Sequence, residues 1–192
     1  MKRILSLMLV VAAVLLVSAL PASATLVANG GFETGDWTGW TLAGNFADFT
    51  GVLSASDVVH SGSYGALFGP MLDPAYITQE IDTTSGQSYT VDFWLRSIGS
   101  GSGVAFTALW NNVDQIAMGS PTSSDWIHYS YTAVATGDIS EISFSFRNDP
   151  TFWCFDDVTV NSASVVPVPG AIWLFGSGLA ALVGIGRRRR RK

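Results

Sequence analysis

Cysteine is nearly absent from this chain of 192 residues: Cys154 is the only one. No disulfide can close within the chain, and no lipid-bearing cysteine follows the N-terminal apolar stretch. Histidine is almost as scarce, with His60 and His128 alone. Neither belongs to a HExxH motif, a paired-cysteine metal pattern or a nucleophile elbow, so nothing points to an enzyme. Basic residues are missing from the middle. Thr25 to Ser164 holds all fifteen acidic residues but only Arg96 and Arg147 as cations, a net charge of −13. Such a surface cannot neutralise phosphates, which excludes nucleic acid as a partner.

What the chain does have lies first at its ends. Lys2 and Arg3 precede an unbroken apolar run, Leu7 to Val17, and then Ala22-Ser23-Ala24. That order is a secretory signal peptide over 1–24 and predicts a mature start at Thr25 after signal peptidase. At the other end, Val165-Val166-Pro167-Val168-Pro169 is held extended by its prolines. Gly170 to Gly186 follows as an apolar helix candidate, near the lower limit of about 17 residues for spanning a bilayer. The basic run Arg187 to Lys192 follows at once and fixes that end in the cytoplasm, with the domain outside; the alternative is a simple, permanent membrane anchor.

The stretch Val166 to Arg187, with Val166-Pro167-Val168-Pro169 before Trp173-Leu174-Phe175-Gly176-Ser177-Gly178-Leu179, resembles the PEP-CTERM sorting signal in its Val-Pro-x-Pro variant. Val168 stands where glutamate is usual, which bears on the processing subtype. The resemblance implies an exosortase, a membrane cysteine protease, as processing partner. It further implies a transient inner-membrane stage and a final place in the envelope or exopolysaccharide matrix of a Gram-negative bacterium.

The middle, 25–164, reads as all-β. Turn clusters recur at Asn29-Gly30-Gly31, His60 to Ser63, Ser85-Gly86-Gln87, Gly99 to Gly103 and Ala135 to Asp138. Between them the apolar residues alternate. Tyr89, Val91, Phe93 and Leu95 share one face and Thr90, Asp92, Trp94 and Arg96 the other, while Ile142, Phe144 and Phe146 oppose Ser143, Ser145 and Arg147. Short strands at this spacing predict an antiparallel β-sandwich or jelly roll. The opening Asn29-Gly30-Gly31-Phe32-Glu33 with Trp37 and Trp40, the His60 to Tyr64 turn, the Gln79 strand, Gly86 to Thr90 leading to Phe93-Trp94, and the closing Phe155-Asp156-Asp157-Val158 together resemble jelly-roll carbohydrate-binding modules.

Two candidate sites follow. The polar face of the Tyr89 to Arg96 strand carries Trp94 beside Arg96. A ring flanked by hydrogen-bonding charges suits a sugar, with Trp110 (followed by Asn111-Asn112) and Arg147 extending the surface. The alternative is that these tryptophans pack, the commoner fate of the residue; Trp37, Trp40, Trp126 and Trp153 are assigned to packing. The second candidate is implied by the resemblance: a structural calcium joining the first strand, an early loop and the last strand. Glu33 and Asp156 match its carboxylates, and Ser61 and Gly62 could add carbonyls. Asp156 shares strand parity with Val158 and Val160, which places it toward the core, where a charge needs a partner. The alternative is that both carboxylates cap turn amides. The expected function is an exported surface or matrix protein that holds exopolysaccharide. The alternatives are a ligand-free envelope protein and, less favoured, a glycoside hydrolase.

Overall fold

A computed structural model describes residues 25–46, 49–101, 103–119, 122–149 and 151–163. The expected signal peptide and the expected sorting tail, including Val166, Pro167, Val168 and Pro169, lie outside the described residues. Ten strands run in chain order: β1 Thr41–Gly44, β2 Gly51–Leu53, β3 Gly65–Phe68, β4 Ala75–Asp82, β5 Ser88–Ser97, β6 Ala105–Trp110, β7 Val113–Gly119, β8 Ile127–Val134, β9 Ile139–Arg147 and β10 Trp153–Ser162. The described residues contain no helix. The strands form two antiparallel sheets, β1-β4-β9-β6-β7 and β2-β3-β10-β5-β8. The first and second sheets stack as a sandwich with the expected alternation on their strands.

β5 shows the cause plainly. Its residues alternate between half-buried and buried along all ten positions, so Tyr89, Val91, Phe93 and Leu95 enter the core while Asp92, Trp94 and Arg96 face out. In β9, Ile142, Phe144 and Phe146 are likewise buried. The core between the sheets is built largely of phenylalanine. Phe68 of the second sheet lies flat on Phe146 of the first, ring centroids 3.7 Å apart, and Phe155 packs against Phe93, Phe106, Phe144 and Phe146. Each such ring taken from water contributes about 1.5–3 kcal/mol, which lets the domain stand without a disulfide. Trp40 and Trp153 are buried in this core and Trp37 packs against it, as assigned from the sequence.

The segment before β1 is fastened through a buried polar residue. Gln79 on β4 accepts from the Ala28 amide at 2.7 Å and donates to the carbonyls of Ala28 and Gly39 at 3.0 and 2.8 Å. Gly30 lies so close to the Val158 carbonyl that a Cβ there would collide with it. That contact lets the Gly30 carbonyl accept from the Val158 amide at 2.9 Å, bringing Glu33 toward the last strand.

Candidate functional site

The outer face of the second sheet carries the candidate site. Trp94 on β5 stands in register with Asp156 on β10 and His128 on β8, and neighbours in register share a face. The connection from β2 to β3 folds over this face. Its Asp57 carbonyl accepts from Arg96 Nη1 at 2.8 Å and lies 3.6 Å from Cys154 Sγ. Burial pushes the Cys154 thiol up to about 12. Three residues further on, His60 stacks on Trp94, centroids 3.9 Å apart and planes within 17°. Trp126 meets His60 edge-on at 5.3 Å, and His128 tilts against Trp94 at 5.3 Å. Each imidazole has a carboxylate partner: His60 Nδ1 lies 2.6 Å from Asp157, and His128 Nε2 lies 3.1 Å from Asp92. The chain's two histidines therefore converge on one tryptophan, a grouping that no local motif announced because they are far apart in sequence.

Beneath this cluster lie the carboxylates. Asp156 is fully buried, but not on the core side that its parity with Val158 and Val160 predicts. A β-bulge intervenes: the β5 partner of β10 shifts between Asp156 and Thr159, and Asp157 adopts φ 53°. The extra residue flips the alternation, so Phe155, Val158 and Val160 join the core while Asp156 points outward beneath the folded loop. Its Oδ2 accepts from the amides of His60 at 2.8 Å and Ser61 at 3.3 Å, and its Oδ1 from the Asp157 amide at 2.8 Å. Desolvation, with the Asp157 charge beside it, raises the Asp156 carboxyl to about 6 against the pull of those amides. The Ser61 hydroxyl donates to Asp157 at 2.8 Å.

Glu33 grips the same loop one turn on, accepting from the amides of Ser63 at 2.9 Å and Tyr64 at 3.1 Å. Gly62, at φ 73°, must be glycine here, since a Cβ would run into the Glu33 carboxylate. The structure thus brings Glu33, Ser61, Gly62 and Asp156 together as expected, with Asp157 added. Both carboxylates also cap turn amides, as the alternative reading holds. Among the described residues no three His, Cys, Asp or Glu side chains form a metal-holding group.

The proposed sugar surface is divided. Trp110 belongs to β6 of the first sheet, is only 4% exposed and stacks on Tyr89 in the core. It is a packing residue and does not extend the Trp94 surface, because its strand parity turns it inward with Phe106 and Ala108. Arg147 faces out on β9, also in the first sheet, and pairs with Asp149 at 3.4 Å, away from Trp94. Trp126, assigned to packing, is half-buried against His60 at the outer face instead. The signal was present: Trp126 shares parity with His128, Ser130 and Thr132, opposite Tyr129, Tyr131 and Ala133, which turn toward the core.

Family models and curated protein sequences give no match to this chain. Solved structures do. The chain is similar to TmCBM61, solved in complex with beta-1,4-galactotriose, with a TM-score of 0.61 at 20% identity, over 73% of this chain and 99% of that one. It is also similar to the CBM22-1 xylan-binding domain of Paenibacillus barcinonensis Xyn10C, at 0.51 and 10% over 77% and 100%. The K1 cleaved adhesin domain of Lys-gingipain from Porphyromonas gingivalis gives 0.55 and 11% over 70% and 96%. The fold is the jelly-roll β-sandwich that these structures share. At such identities the likeness establishes architecture, and function must come from the site.

Proposed function

We propose that this chain is an exported surface or matrix protein whose sandwich holds extracellular polysaccharide on the outer face of the second sheet. The observation that carries the reading is the cluster of half-buried Trp94, His60 and Trp126 with exposed His128, rimmed by Asp92, Asp157 and Arg96. Aromatic rings there offer apolar surface to the C–H face of a sugar, and the rim offers hydrogen bonds to its hydroxyls. His60 already covers one face of Trp94, so Trp126 is the ring left to make the stack, with Trp94 holding His60 beneath it. Affinity electrophoresis in gels containing polysaccharide tests this: Trp126→Ala should lose the retardation that the unaltered chain shows, without loss of fold. Equal retardation of both would remove the site.

Calcium belongs to the same reading. A buried Asp156 beside a second carboxylate, with amides but no basic side chain bonded to it, fits a cation that neutralises the pair. Glu33 and Asp156 would hold it with carbonyls of the Ser61-Gly62 turn, and its charge would lock the loop that carries His60. Export through a signal peptidase, the transient membrane stage and exosortase processing complete the proposal; they rest on the terminal motifs.

A further inference from the structure

The last strand of a sheet presents a row of backbone N–H and C=O groups to any chain that can pair with them, and proteins blunt such edges. Among the described residues the two sheets end at β1 and β7 and at β2 and β8. Three of these strands are blunted. β1 and β2 are only four and three residues long. β7 bulges at Gln115, where its register against β6 shifts, and carries exposed Asp114. β8 has none of these devices. Its eight residues, Ile127–Val134, keep one unbroken register against β5, and they include no proline, lysine, arginine or carboxylate. The strand is also anchored, since the Tyr131 hydroxyl donates across the sandwich to the Leu109 carbonyl at 3.3 Å.

Side chains along this edge are left uncovered as well. Ile127 has the inward parity of Tyr129 and Tyr131, yet it is 42% exposed. It lines a cavity of about 220 Å3 between β7 and β8. Toward the strand's other end, Trp110, Ala133 and the exposed Val113 and Val134 line a larger one of about 440 Å3.

We propose that β8 is a dimerisation edge, pairing antiparallel with β8 of a second copy about a two-fold axis at Ser130. The strand fits itself in that register. Residues directly opposite in an antiparallel pair share a face, so only registers that keep inward residues against inward ones survive. With the axis at Ser130, that residue meets its own counterpart, His128 meets Thr132, Tyr129 meets Tyr131, and Ile127 meets Ala133. Each bulky Ile127 then stands against a small Ala133 at the larger cavity. An axis at Tyr131 would instead set two tyrosines against each other and leave Ile127 opposite no residue of β8. Charge does not oppose the contact. The carboxylate in register with the axis is Asp92, one strand in, and it is paired with His128 at 3.1 Å. Two Asp92 residues would lie three strand spacings apart, roughly 14 Å, beyond the ~8 Å screening length of physiological salt. Two copies of the second sheet thereby become one continuous sheet, an association that stands independently of the polysaccharide reading.

Sedimentation equilibrium of the exported chain, with no polysaccharide present, should fit a monomer–dimer equilibrium. Ile127→Lys should weaken dimerisation at least about tenfold, because it sets a charge where an apolar side chain would be buried. Two cysteine variants test the register whatever Ile127→Lys does to folding. Under mild oxidation Ser130→Cys should form an intermolecular disulfide, since residues opposite each other stand about 4.5–5.5 Å apart at Cα, within disulfide reach. Thr132→Cys should not, because its two copies would lie at least about 13 Å apart along the strands. Cys154 is fully buried and does not compete. A chain that sediments as a monomer at every concentration would overturn the proposal. So would a dimer that Ile127→Lys leaves intact, which would place the association elsewhere in the chain. Equal cross-linking of the two cysteine variants would overturn the paired edge.

Discussion

At the scale of single residues, Asp156 concentrates the tension of the site. Its carboxyl is raised to about 6 in the fold from an ordinary 3.8, chiefly by burial. The folded state therefore holds the proton more tightly than the unfolded chain, and the protonated form supplies the stability. That contribution is full below the ordinary value and is lost as pH climbs through about 6, on the order of 3 kcal/mol by linkage. Chelator-treated protein should thus melt progressively lower between pH 4 and 7, and Asp156→Asn should flatten that dependence. Trp94 belongs to this scale too. It is half-buried on an outer face, so Trp94→Ala should cost about 1–2 kcal/mol through the lost His60 stack, below the ~3–5 of a buried aromatic. A melt showing the larger loss would make Trp94 a packing residue. Residue identities alone marked Trp94 and Arg96 as outward, because period-two alternation is unbroken along β5. Trp110, expected as a surface ring, shares the buried face of β6 with Phe106 and Ala108, an alternation equally present in Ala105-Phe106-Thr107-Ala108-Leu109-Trp110.

At the scale of elements, the bulge at Asp157 and the β2–β3 connection decide the site. A bulge adds one residue, and no composition signal separates Asp156-Asp157 in a regular strand from the same pair in a bulge. Parity counting across it therefore places Asp156 on the core side, whereas the bulge turns it outward. The loop's contribution was partly legible: the Ser61-Gly62 turn was expected near Glu33 and Asp156, and both carboxylates do hold it. The arrival of His60 on Trp94 was not, since it depends on how a long connection folds back. If calcium occupies this element, added calcium should raise the melting temperature by preferential binding to the folded chain. Asp156→Ala should abolish that rise, and Asp114→Ala, on the exposed strand β7, should keep it. A melting temperature indifferent to calcium and chelator alike would leave the carboxylates as loop caps only.

At the scale of the whole molecule, the fold class was readable because the alternating strands and turn clusters are local signals that agree with one another. The pairing of ten strands into two five-stranded sheets is non-local and came only with the structure. The ends make their own prediction. N-terminal sequencing of the exported protein should begin at Thr25, and mass spectrometry of the surface form should lack Arg187 to Lys192. Retention of Met1 would remove the signal peptide, and an intact tail in the mature form would make it a permanent anchor. The central claim is that the exported sandwich holds polysaccharide. Its most direct measurement is the migration of the exported chain through native gels containing extracellular polysaccharide or neutral plant glycans, against a non-binding reference protein. The account predicts retardation by at least one polysaccharide, reversed by the free oligosaccharide; migration unchanged in every gel would contradict it.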